Sequence, residues 1–259
     1  MMSRKTRTLL AVAALGAVLG YRALKPAPDQ AESARAPLPA AEAEVKPLML
    51  GSLAFRPCTL DSPTSRDSLE AQCTTFEVPE DRGNPQGRKI ALNIALLTPD
   101  KPESAQPDPV FFLAGGPGQS ATQSYPQIDP AFAEVRKRRN EILVDQRSTG
   151  KSNLLSCEPP EDDDASIETM QASAVACAAT LSGKADLRHY TTTDAVADLD
   201  AVRQAIGAAR INLIGVSYGT RVAQQYAMRQ PDSTRSIVLD SVVPNTLQLG
   251  NIFARNLDD

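Results

Sequence analysis

The chain has 259 residues, 42% hydrophobic and 22% charged, with a formal net charge of −4. This is an ordinary composition for a soluble protein, and the length suffices for one large α/β domain or two small ones. Nothing in the acidic balance suggests a nucleic-acid binder, which usually shows a basic domain or stripe, and a single histidine, His189, leaves little for a metal site.

In chain order, Arg4, Lys5 and Arg7 precede an unbroken apolar run, Thr8–Gly20. A basic start followed by a run of this length reads as a secretory signal peptide. It is short for a spanning helix, which needs roughly 20 apolar residues. Export to the periplasm or beyond is the expectation for residues 1–25. An uncleaved membrane anchor is the alternative, because no clean small-x-small cleavage site stands near Gly20. Residues 26–47 are rich in Ala, Pro and Glu and read as a linker; the folded domain is expected over 48–259. Four cysteines follow: Cys58, Cys73, Cys157 and Cys177. An even count in an exported chain points to disulfides. Of the three pairings, Cys58–Cys73 with Cys157–Cys177 closes two short loops and is the one expected. Four free thiols are the alternative. Without a CxxC, and with His189 alone, no zinc set exists; no metal or cofactor is expected.

Strand character marks Leu48–Phe55, Cys73–Val78, Lys89–Leu97 and Val110–Leu113, the last wholly apolar and so suited to cover on both faces. A short helix is expected over 131–138, a strand over Glu141–Val144, an acidic loop over 158–164 and a helix over Ile167–Leu181. Asp194–Gly207 reads as a helix capped by Asp194 and stopped by Gly207. A strand, Ile211–Val216, a helix, Tyr218–Arg229, and a strand, Ile237–Leu239, complete the pattern. The alternation predicts an α/β fold: a mainly parallel sheet with helices on both faces. The early strands lack helical spacers and predict an antiparallel start.

Gly215-Val216-Ser217-Tyr218-Gly219 is a G-x-S-x-G. The pattern is cheap by composition, and its bland reading is a turn that happens to contain serine. Its position between an apolar strand and an amphipathic helix is the context a nucleophile elbow requires. Gly215 and Gly219 keep the turn tight, Ser217 projects from it, and the helix N-terminus faces developing negative charge. Ala114-Gly115-Gly116-Pro117-Gly118 follows the Val110–Leu113 strand. GGPG is a good turn anywhere. Placed here it reads as an oxyanion loop, with backbone N–H donors from Tyr218 and from Gly116, Gly115 being the second choice.

These strings, with VDQRSTGKS (Val144–Ser152), HYTTTDAVADLDAVR (His189–Arg203) and SIVLDSVVP (Ser236–Pro244), resemble the prolyl and tripeptidyl aminopeptidase family of α/β-hydrolases. The Cys58/Cys73 region is similar to its secreted tripeptidyl branch. Two departures are Ala114, where many members have His, and Ser148, where many have Gly. The resemblance implies that Ser217 attacks the carbonyl of a peptide bond near the substrate N-terminus, that a His takes its proton and that an Asp orients the His. It also matches Asp145-Gln146-Arg147 to a loop near the active site; a salt-bridged structural turn fits those residues equally well.

The superfamily order is Ser, acid, His, yet no histidine follows Ser217. The resemblance places the acid and the base beyond a cap domain, so the last strands, the cap and two triad members are expected to be missing. His189 reads as a loop residue and Asp240 as a structural strand end. The chain is therefore expected to be a fragment, or one completed by a second polypeptide, and nearly inactive alone. Ser236–Leu239 would leave an open apolar edge. The substrate is expected to be a peptide; an esterase of the same fold and a non-catalytic remnant are the competing readings.

Overall fold

The computed structural model describes residues 46–158, 160 and 166–247. The expected signal segment, nearly all of the 26–47 linker and most of the acidic loop lie outside them. Among the described residues eight strands form one sheet: β1 (Leu48–Leu50), β2 (Leu53–Asp61), β3 (Ser68–Pro79), β4 (Lys89–Leu97), β5 (Val110–Leu113), β6 (Glu141–Val144), β7 (Ile211–Val216) and β8 (Thr234–Asp240). Their order is β1-β2-β3-β4-β6-β5-β7-β8. The first four pair antiparallel, as does β4 with β6. The β6-β5-β7-β8 half is parallel, as strands separated by crossover helices must be.

Period-2 alternation sends successive side chains to opposite faces. Phe111, Leu113, Ile142 and Val144 enter one core, and Phe112 and Leu143 enter the other. Among the described residues five α-helices accompany the sheet: α1 (Ala121–Ile128), α2 (Ala133–Arg136), α3 (Ile167–Ser182), α4 (Thr192–Ala205) and α5 (Tyr218–Arg229). The first core is closed by Val196, Leu199 and Val202 of α4 with Val222, Ala223 and Tyr226 of α5. The second is closed by Ala121 and Tyr125 of α1 with Phe132. Helices thus cover both faces, as the strand–helix alternation implies.

Several local expectations change. Leu48–Phe55 is not one strand: Gly51, at φ +58°, turns the chain back between β1 and β2. A Cβ on Gly51 would stand 2.3 Å from the Ala205 carbonyl, so the turn docks on the end of α4. Asp194 is not the cap of that helix. Thr191 caps it, accepting from the Asp194 N–H, while the Asp194 carboxylate reaches back to the Thr191 N–H in a capping box. Gly207, at φ +74°, follows its end as expected. The short helix expected over 131–138 is a 3-10 turn, Asp129–Phe132, running into α2.

Both disulfides take the sequence-local pairing, Cys58–Cys73 and Cys157–Cys177. The first crosses diagonally between β2 and β3, where Arg56 pairs with Cys73 and Cys58 with Ala71. The second ties α3 to the loop ahead of it. β8 ends the described sheet, with Ile237 39% and Val238 54% exposed, which is the open apolar edge expected there. Among the described residues no helix is long and apolar enough to cross a membrane.

Candidate active site

The parallel half of the sheet creates the site before any side chain is considered. β5 and β7 are neighbours. The segment after β5 leads to α1 on one face, and the segment after β7 leads to α5 on the other. Two adjacent strands whose connections leave on opposite faces open a crevice at their carboxyl ends, the usual place for a ligand in such sheets. Gly115–Gly118 and Ser217 line the two sides of that crevice.

Ser217 has φ +53° and ψ −119°, a backbone state that side-chain-bearing residues rarely occupy. Holding a residue there costs on the order of 1–3 kcal/mol, and such strain is retained where the surroundings over-determine it. Here they do. The Ser217 N–H donates to the Asp240 carbonyl at 2.9 Å. The Ser217 carbonyl accepts from the Thr220 N–H at 3.0 Å and from the Thr220 hydroxyl at 2.6 Å. That hydroxyl in turn accepts from the Val243 N–H at 2.8 Å. The Ser217 side chain is half-buried and makes no capping bond to the helix it precedes.

Both flanking glycines are sterically required. A Cβ on Gly215 would stand 2.4 Å from the Gly219 carbonyl oxygen, and one on Gly219 would stand 2.1 Å from that of Leu113. Such distances to main chain leave no room for alanine. The Gly219 contact also shows how closely α5 crosses the end of β5. Tyr218, first residue of α5, holds one of the N–H groups that a helix leaves without an internal partner. Its phenol hydrogen-bonds with the Thr192 hydroxyl at 2.7 Å, steadying the start of α5 against the start of α4.

The glycine-rich loop lies against the elbow. A Cβ on Gly115 would stand 3.2 Å from Ser217 Cβ, 3.4 Å from the Val216 carbonyl and 2.9 Å from Gln119 Oε1. Gly116 and Gly118 have φ of +102° and +106°. The nearest atoms to a Cβ on Gly116 belong to its own loop, Gly118 N and Gln119 N. Gly115 thus packs against the Ser217 side chain.

Asp145 and Arg147 are both buried, in separate networks. Asp145 accepts from the Ser120 hydroxyl at 2.7 Å, the Thr122 N–H at 3.0 Å and Asn93 Nδ2 at 2.9 Å. Ser120 is the cap of α1, so Asp145 anchors the exit of the glycine-rich loop to the end of β6. Arg147, 3% exposed, makes a two-pronged pair with Asp198 at 2.7 Å on each side and donates to the Glu80 and His189 carbonyls. Burial pushes the Asp198 carboxyl up, against the two arginines that pull it down. These contacts fit the salt-bridged structural turn.

His189 lies in a 3-10 turn, Leu187–His189, with Nε2 3.7 Å from both Asp81 and Asp186 carboxylates. Asp240 ends β8, and its carboxylate accepts from the Ser241 hydroxyl at 3.1 Å. A groove of about 340 Å3 beside Leu97, Asp100 and Arg136 lies at the opposite end of the parallel strands, since Leu97 pairs with Glu141 at the start of β6. It is remote from this chemistry. Among the described residues no cluster of His, Cys, Asp or Glu could hold a metal ion.

A sequence profile of the α/β-hydrolase fold matches residues 108–258. The tripeptidyl aminopeptidase of Streptomyces lividans is 29% identical over 191 residues, 66% of this chain and 35% of that protein. The serine protease Hip1 of Mycobacterium tuberculosis is 29% identical over 211 residues, 74% of this chain and 40% of its own length. The proline iminopeptidase of Neisseria gonorrhoeae is 29% identical over 142 residues, 54% of this chain and 35% of that one. The chain therefore spans well under half the length of these relatives. With the profile covering more than half of its residues and the sheet order and helix placement described above, the chain belongs to the α/β-hydrolase fold family.

Proposed function

We propose that the chain carries the nucleophile and oxyanion site of an exported serine hydrolase of the aminopeptidase type. Ser217 Oγ attacks the substrate carbonyl carbon, and the carbonyl electron pair moves onto oxygen. The Tyr218 N–H, with that of Gly116 or Gly115, receives the resulting charge; donors of this kind are worth about 3 kcal/mol in a transition state. Collapse expels the leaving amine, which takes the proton that the Ser217 hydroxyl gave up on attack, and water then hydrolyses the acyl-serine. We assign the base to no residue of this chain: His189 sits with Asp81 and Asp186.

The observation that carries this reading is the positive φ of Ser217 beside Gly115 at the switch point of the sheet. The peptidase names of the relatives favour a peptide over a simple ester. The two disulfides and the basic-then-apolar N-terminus support export of a domain spanning 48–259, through residues 1–25 and a linker over 26–47. A fluorophosphonate probe tests the assignment. Slow labelling at Ser217, lost in S217A, is expected. No labelling at all refutes the nucleophile, and rapid labelling refutes the absence of a base.

A further inference from the structure

Beside the elbow lies a feature that the chemistry above does not use. The turn between β2 and β3 curls over α1, and the two enclose an open trough of about 260 Å3. It begins at Gly118, the end of the glycine-rich loop, and runs along α1 past Gln119, Gln123 and Gln127 to Pro63 and Thr64. None of its eight lining residues carries a charge. Gln127 is fixed: its Nε2 donates to the Ser62 hydroxyl at 2.6 Å and to that of Thr64. Gln119 and Gln123 are exposed, and Gln119 Oε1 packs over the same point of Gly115 that Ser217 Cβ approaches. The trough therefore leads away from the reacting serine.

Its chemistry suits a peptide main chain. Gln123 and Gln127 are one helical turn apart, a rise of about 6 Å. Two residues of an extended chain advance about 6.6 Å, so Gln123 and Gln127 match equivalent amides on alternate residues; Gln127 Nε2 is already held by Ser62 and Thr64, which leaves the exposed Gln123 and, ahead of the helix, the exposed Gln119 to meet a chain. From Gln123 to Gln127 the trough follows α1 for about 6 Å, the length of about two extended residues, and it continues past the start of the helix to Gln119 and Gly118. The missing charge decides which part of a substrate lies here. If the enzyme releases short N-terminal pieces, the acyl side ends in an ammonium close to the cut bond, and this trough offers it no carboxylate. The leaving side continues as neutral main chain.

We propose that this trough receives, in extended form, the part of a peptide substrate on the C-terminal side of the bond cut at Ser217, its main-chain amides met by Gln119 and Gln123. The proposal rests on the aminopeptidase reading of the site. It is tested on the full 1–259 chain carrying S217A, with fluorescein-labelled peptides made of one N-terminal tripeptide followed by none to four further residues. Anisotropy should show affinity rising roughly three- to tenfold over the first three added residues, as two added hydrogen bonds allow. Gln119→Ala with Gln123→Ala should remove most of that gain without moving the melting temperature, since both side chains are exposed. Affinity that ignores length, or a gain that survives the double variant, overturns it. Probe labelling of the wild-type chain separates the two readings: labelled Ser217 with no length effect sinks the trough alone, and unlabelled Ser217 sinks the active-site assignment.

Discussion

Glu141, at the start of β6, is 1% exposed and lies in the second core. Its Oε2 accepts a short hydrogen bond from the Tyr125 hydroxyl, and among the described residues its Oε1 has no partner. Burial pushes this carboxyl up from 4.5 to about 7, against the lowering by Tyr125 and Arg136. The unfolded chain releases the proton near 4.5 while the folded chain keeps it until about 7. Stability from this group is therefore complete below pH 4.5 and falls as pH rises toward 7, beyond which the loss levels off. The size is about 3 kcal/mol. Denaturant melts of wild type and Glu141→Gln between pH 4 and 8 should show the variant with the flatter profile. A parallel pair of profiles would place the titration elsewhere. At this scale the sequence was uneven. The tight turn at Ser217 between Gly215 and Gly219 was legible because such a turn is local, its constraint lying within five consecutive residues. Glu141 was not, since nothing in EILV distinguishes a buried acid from a solvent-facing one.

At the scale of elements, boundaries emerged wherever an apolar run met turn residues. Lys89–Leu97, Val110–Leu113, Glu141–Val144, Ile211–Val216 and Tyr218–Arg229 have the limits expected for them. α1 escaped notice because its segment, ATQSYPQI, shows no apolar periodicity and contains Pro126, which lacks an N–H for the helix ladder. Its Ser120 cap was the available signal. The trough is invisible in sequence for a related reason: it joins a hairpin tip to a helix far along the chain. The two disulfides have different mechanical roles. Cys58–Cys73 links strands of the sheet across a separation of 15 residues, so C58S/C73S should lower stability by about 3 kcal/mol in denaturant melts. Cys157–Cys177 holds α3, none of whose residues is buried. Removing that bond should raise hydrogen exchange in α3 while leaving the amides of β4 to β7 as protected as before. Loss of protection throughout the sheet would mean that α3 contributes to the core.

For the whole molecule, the sheet is asymmetric. Among the described residues its antiparallel side ends with β1, a three-residue strand, whereas its parallel side ends with the seven-residue β8, whose Ile237 and Val238 are exposed. A long, apolar, unpaired strand is a template for a second chain. Light scattering of the 1–259 chain should grow with concentration, and Val238→Lys should suppress it several-fold, as charges on edge strands do. Equal scattering from both proteins would acquit this edge.

The glycines between Leu113 and Ser120 are fastened at both ends, by a buried strand and by a carboxylate sealed inside the protein. A span clamped in this way behaves as a cast mould rather than a slack ribbon. Whatever molecule seats against it meets a shape set during folding, and little chain entropy remains to be lost on arrival.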